Sequence, residues 1–180
     1  MAKAKTIYVY LLCFFVCCSA LSQNHLSSKR ANLQQAYTKQ IGVKEQGGAN
    51  RGEQVEQYLA AVGFAPGYAW CAAFVSWCYQ LADVKHPKSA WVPSYAKKQN
   101  LIYQRGEFIK QLPKAGDVFL IWFDRLNRPA HIGFVDEWQN RWVITVEGNT
   151  NEDGSREGDG VYRKRRLQRQ IWAVANFIDE

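Results

Sequence analysis

A chain of 180 residues with 47% hydrophobic and 22% charged residues holds enough apolar material for one packed domain, and that balance excludes a disordered or low-complexity protein. Its formal net charge of +7 points to an anionic partner: a wall polymer, a membrane surface or nucleic acid.

The chain opens with a leader-like segment. Lys3 and Lys5 precede an unbroken apolar run, Ile7–Cys18, and the small residues Ser19, Ala20 and Ser22 follow it. This is the pattern of a secretory signal peptide over residues 1–22 and predicts export to the periplasm, the cell envelope or beyond. The run has 12 residues, short of the roughly 20 that span a bilayer. An uncleaved anchor is therefore disfavoured, and no stable membrane span is expected after the leader is removed. Lipoprotein anchoring is disfavoured too, because Phe14, Phe15 and Val16 precede Cys17 and Cys18 where a small residue is needed. Losing Lys3 and Lys5 takes the net charge from +7 to +5. Cys13, Cys17 and Cys18 leave with the leader, so the mature chain keeps Cys71 and Cys78.

Helical patterning fills the stretch from Leu26 to Asn100. Ser27 or Ser28 can cap a helix that runs to about Gln40. Glu53–Val62 predicts a second helix, closed at Gly63. Pro66 and Gly67 break the chain, and Trp70–Ala82 then places apolar residues at 70, 74, 77, 78 and 81, the spacing of a buried helix. Pro93 fits the first turn of a short helix ending near Asn100. From Asp117 onward the pattern alternates. Asp117–Phe123, His131–Trp138, Trp142–Glu147, Gly160–Leu167 and Ile171–Ile178 are rich in β-branched and aromatic residues and predict strands joined by short turns. Helices followed by an antiparallel meander make an α+β domain.

Cys71 falls in the first turn of the third predicted helix. The partial positive charge and free N–H groups there stabilise a thiolate, and the same N–H groups can hold an oxyanion. Cys78 lies two turns further on, along the apolar stripe, where a thiol is buried and inert. At about 1.5 Å rise per residue the two Cα atoms stand roughly 10 Å apart, beyond the reach of a disulfide. The thiol needs a base. His25 is in the N-terminal segment, His86 precedes Pro87 in a loop, and His131 opens a strand, so His131 is the candidate on rigid structure. Glu147 ends the next strand and can orient the imidazole, although position alone equally allows a solvated strand-end carboxylate. In an extended chain Glu147 and Asn149 face the same way.

The segments GYAWCAAFVSWC (67–78), AGDVFLIW (115–122), AHIGFV (130–135) and EGNT (147–150), with the lead-in 41–64, resemble the CHAP family of cysteine- and histidine-dependent amidohydrolases/peptidases. The resemblance spans about residues 30–178. It implies a papain-like α+β fold with Cys71 as nucleophile, His131 as general base, Glu147 as orienting acid and Asn149 as a further polar residue of the site. It also implies hydrolysis of amide bonds in peptidoglycan, by an N-acetylmuramoyl-L-alanine amidase or a stem or cross-link endopeptidase, with no cofactor and no metal. A cysteine amidase acting on a non-wall amide and a catalytically silent wall-binding module are the alternatives.

Among the seven tryptophans, Trp70 beside the nucleophile and Trp91 in a loop are candidates to line the substrate groove, whereas Trp77, Trp122, Trp138, Trp142 and Trp172 are expected in the core. The stretch from Asn149 to Gly160 echoes a calcium loop without its essential ligands, Asn149 standing first and Gly160 twelfth, and reads as a loop. Arg163, Lys164, Arg165, Arg166 and Arg169 form a basic cluster. Without a stacking motif or a recognition helix it reads as a solvated, charge-protected edge strand rather than a nucleic-acid surface. Nothing in the sequence points to a dimer surface, and a monomer is expected.

Overall fold

The breaks at Gly63–Gly67 and the change of period near residue 100 divide the chain into a helical half and a sheet half. The computed structural model describes residues 26–152 and 158–179, so the leader, His25 and part of the loop before Gly160 lie outside the described residues. Three helices form: α1 (26–38), α2 (Glu53–Ala60) and α3 (Cys71–Leu81). Seven strands follow: β1 (Leu101–Gln104), β2 (Glu107–Phe108), β3 (Val118–Phe123), β4 (Arg128–Trp138), β5 (Trp142–Thr150), β6 (Gly160–Leu167) and β7 (Ala173–Ala175). They make one antiparallel sheet in the order β2-β1-β7-β3-β4-β5-β6. The α+β class expected from the patterning is the observed one.

The meander from β3 to β6 pairs neighbour with neighbour, but β7 crosses to the far edge and inserts between β1 and β3. Strands β1 and β2 replace what the sequence left without a strand. They close through Arg105 and Gly106, both at positive φ, a two-residue hairpin turn. Two short 3-10 turns, Val92–Tyr95 and Lys98–Asn100, stand where one short helix was expected.

All three helices lie on one face of the sheet. Leu33 and Tyr37 of α1, Val55, Tyr58 and Leu59 of α2, and Phe74, Val75, Cys78 and Tyr79 of α3 pack on Leu120, Ile132, Phe134 and Val146. Phe134 sits at the centre, stacked on Tyr37 at 4.7 Å and edge-on to Phe74 and Tyr79. The stripe on α3 is rotated from the expected one: Leu81 is exposed, and Val75 and Tyr79 take the core positions. The sheet covers one side of α3 while α2 and Tyr95 cover others, which is why Cys71 through Ser76 are all buried. A smaller cluster of Ile102, Tyr103, Phe119, Val135, Val143, Ile171 and Val174 covers the opposite face of the sheet. Arg30 of α1 clamps the two layers by pairing with buried Asp117 at 3.0 Å and with Asp179 at 2.9 Å. Burial holds Asp117 up at about 6 despite that guanidinium.

Two glycines let helix and strand meet where the site forms. A Cβ at Gly148 would lie 2.7 Å from the Trp70 ring and 2.9 Å from Phe74, so the start of α3 rests directly on the backbone of β5. A Cβ at Gly133 would lie 2.8 Å from Phe119 and 3.0 Å from Cγ of Glu147, which leaves that space to the carboxylate.

Candidate active site

α3 begins at Cys71, with Trp70 as its N-cap and no side chain capping it. The first N–H groups of a helix have no acceptor within it, and the positive end of the helix is therefore directed at the Cys71 thiol. Cys71 is buried to 6% exposure. Cys71 and Cys78 are both free thiols, in accord with the spacing argument. Cys78 is fully enclosed, and burial pushes its thiol well up.

His131 lies on β4, hydrogen-bonded to Glu147 and near enough to Cys71 for the thiol to favour its charged form. Its Nε2 meets Oε2 of Glu147 at 2.8 Å, so Nδ1 is the ring nitrogen not used on that carboxylate. Burial opposes the imidazolium, but Cys71 and Glu147 outweigh it and carry the ring up to about 9. Glu147, on β5, is fully buried and fully engaged. Besides His131 it accepts from Thr145 Oγ1, and from Arg166 through Nε at 2.6 Å and through Nη2. Burial favours the neutral acid, yet the Arg166 and His131 bonds hold the carboxyl well below the usual carboxylate range. A buried carboxylate that accepts four hydrogen bonds has no acceptor direction to spare.

Arg166 is the functional residue that sequence reasoning missed. The reading of the basic cluster as a solvated edge holds for Arg163, which pairs with Asp136 at 2.5 Å, and for Arg165, which lies over the Trp142 ring at 3.9 Å. It fails for Arg166, whose side chain is 17% exposed and bidentate on Glu147. The signal was present: strand alternation places Lys164 and Arg166 on the face opposite Arg163 and Arg165.

Asn149 departs from expectation in a different way. The β5–β6 register shifts between Glu147 and Thr150, and Asn149 adopts φ 54, so it does not share the face of Glu147. Its Oδ1 accepts from the Trp70 N–H at 3.2 Å, and its Nδ2 donates to Asn50 Oδ1 at 3.1 Å and Glu45 Oε1 at 3.4 Å. The residue thus pins the start of α3. Trp70, expected to line the groove, is completely buried, with Nε1 donating to Glu45 at 2.8 Å. The ring that Gly148 admits has no path to solvent. Trp91 is exposed, with the Arg128 guanidinium 4.1 Å from its ring centre. Trp122 and Trp172, expected in the core, are half-buried and lie 5.1 Å apart. Glu45, which also accepts from the Asn50 N–H at 2.8 Å, is a second residue that no sequence pattern disclosed. His86 bonds the Val84 carbonyl and stacks near Tyr79, remote in role from this centre.

A helix-borne thiol against a strand-borne imidazole and a buried carboxylate, on an antiparallel sheet with helices on one face, defines the papain-like class of α+β domain. Residues 63–149 match the sequence model of the CHAP domain, the family that the segments around Cys71, His131 and Glu147 resemble. CHAP domains form a family of peptidoglycan amidase/peptidase-type hydrolases. Comparison with curated proteins finds no match, and comparison with solved structures finds none either. No helix among the described residues is long and apolar enough to cross a membrane.

Proposed function

We propose that this chain is an exported peptidoglycan hydrolase that cleaves amide bonds through a cysteine acyl-enzyme. The observation that carries the reading is a helix-start thiol near an imidazole whose Nε2 is held by an ionised, buried carboxylate. With its charge held up to about 9, His131 carries at neutral pH the proton that a leaving amine needs.

The thiolate of Cys71 attacks the amide carbonyl carbon. The oxygen that becomes an oxyanion is received by the unpaired N–H groups of the first turn of α3. As the C–N bond breaks, His131 gives its proton to the leaving amine and a thioester forms on Cys71. Water then attacks the thioester carbonyl while His131 takes its proton. The C–S bond breaks, the acid leaves, and the thiolate of Cys71 and the protonated His131 are restored. Glu147 keeps the ring in the required tautomer and orientation throughout, and Asn149 fixes the helix start. Export rests on the leader-like residues 1–22, and the residual charge of +5 suits an anionic wall.

The test is to incubate the purified mature protein with peptidoglycan and resolve the products by mass. New N-terminal alanines identify an amidase, and new internal peptide ends identify an endopeptidase. Intact wall with tight binding would instead make the chain a silent binding module, and intact wall without binding would leave a non-wall amide as its substrate.

A further inference from the structure

On the side of the sheet away from the helices, a cleft of about 440 Å³ opens beside His131. Trp122, Thr150, Lys164, Arg166 and Arg169 form much of its wall; His131 stands in it and Cys71 does not. The cleft therefore extends from the imidazole side of the centre, the side that hands a proton to the departing nitrogen. Its charge has one sign. Lys164, Arg166 and Arg169 all line it, and no carboxylate does so among the described residues. The nearest acid, Glu147, is sealed beneath Arg166 with its acceptor directions taken.

Arg166 uses Nε and Nη2 on Glu147, so its Nη1 edge is the part left for the cleft. Arg169 is exposed and makes no ion pair among the described residues. Trp122 and Arg169 also belong to an adjoining cavity of about 410 Å³, whose wall adds Arg105, Trp172 and a single acid, Asp124. There Arg105 lies 5.7 Å from the Trp122 ring centre, and Trp172 Nε1 is buried without a hydrogen-bond partner. Cationic side chains without a facing carboxylate call for an acceptor-rich, negatively charged guest.

We infer that this cleft is a subsite for a carboxylate borne by the substrate on the amine side of the scissile bond, with Arg169 as its principal ligand beside Arg166. The inference rests on the reading of Cys71 and His131 as a hydrolytic centre and adds the chemistry of the leaving half: an acidic peptide residue rather than a neutral one. A guanidinium binds a carboxylate in two parallel N–H···O bonds, and replacing that carboxylate by an amide removes the charge and puts two N–H donors against a donor. Enzyme built this way discriminates through substrate binding.

Two synthetic stem peptides serve as probes, identical except that the acidic residue on the amine side is free in one and amidated in the other. The wild-type protein is expected to show a KM about tenfold lower for the free acid. Arg169→Gln should erase the difference by raising KM for the acid, the loss appearing in KM rather than kcat, and Arg169→Lys should restore part of it. A second measurement separates this inference from the hydrolytic reading. Calorimetry with Cys71→Ala protein reads binding without turnover, and the acid should bind more tightly than the amide, with that margin gone in Cys71→Ala/Arg169→Gln. Wall left uncut by the wild type would overturn the hydrolytic reading while this margin still stood. Equal binding of the two peptides, undetectable binding of the acid, or a preference that survives Arg169→Gln would overturn the subsite.

Discussion

The first turn of α3 and its middle carry the same residue and behave oppositely. At Cys71 the helix presents unpaired N–H groups, a strand supplies an imidazole, and a sliver of the residue is open to solvent. Two turns on, Cys78 is enclosed by the aromatic core of α1, α2 and α3, with no histidine paired to it among the described residues and burial pushing its thiol up. Side-chain type contributes nothing to the difference. Position along a helix, and what the sheet places against that position, decides which thiol is a nucleophile.

The sharpest way to break this contrast is to delete each sulfur in turn. Cys71→Ala is expected to reduce release of wall fragments at least about 10⁴-fold, the scale on which a nucleophile is missed. Cys78→Ala should keep turnover within a few-fold of wild type and cost stability instead, about 1–2 kcal/mol in denaturant unfolding, because a small cavity opens in a packed core. Equal loss of activity in both, with folding preserved by circular dichroism, would reverse the assignment.

The next largest effect tests what sustains the reactive end from behind. Arg166→Gln removes both guanidinium bonds from a buried carboxylate, so Glu147 should protonate more readily and hold His131 less firmly. A fall in kcat of about 10–100-fold is expected, with the acid limb of the pH profile moving to higher pH and Arg166→Lys recovering part of both. An unchanged acid limb would reduce Arg166 to a strut. In the wild type the sign of the alkaline limb follows from His131. Its charge is raised to about 9, so kcat/KM should fall as pH passes about 9. The stability that the His131 pairing adds is fully present below the ordinary histidine value near 6.5 and is lost through about 9. Glu147 is depressed, so its share is present above the ordinary value near 4.5 and is lost as pH falls through its lowered one. Urea midpoints at a series of pH values read both slopes.

Much of this was legible in the sequence because it rests on local rules. A Pro-Gly break ahead of an apolar run announced α3 with Cys71 in its first turn, and β-branched runs announced β3 to β6. What stayed hidden depends on contacts distant in sequence. The insertion of β7 between β1 and β3 is a choice among sheet edges that strand pattern does not encode. The bulge at Gly148 and Asn149, which turns Asn149 away from Glu147, follows from how closely α3 presses on β5. Arg166 looked like surface because a strand of four consecutive cations gives no hint that one face covers a buried carboxylate. Trp70 was expected outside for its adjacency to the nucleophile, whereas a helix start seated on a glycine draws its neighbour inward.

Trp70 also supplies the smallest expected effect. Trp70→Phe keeps a flat ring against Tyr58, now 5.6 Å away, and over Gly148, but loses the Nε1 bond to Glu45. One hydrogen bond to a carboxylate is worth about 1–3 kcal/mol, and Glu45 retains the Asn50 N–H, so the lower end of that range applies. Since the ring reaches no solvent, KM should hold while stability falls by about 1 kcal/mol, and kcat should drop less than tenfold as the helix start loosens. A raised KM with unaltered stability would return Trp70 to the substrate groove and show that the start of α3 opens in solution. A neutral result on all three would detach Glu45 from the site, leaving Asn149 as the residue that holds the reactive end of α3 in place.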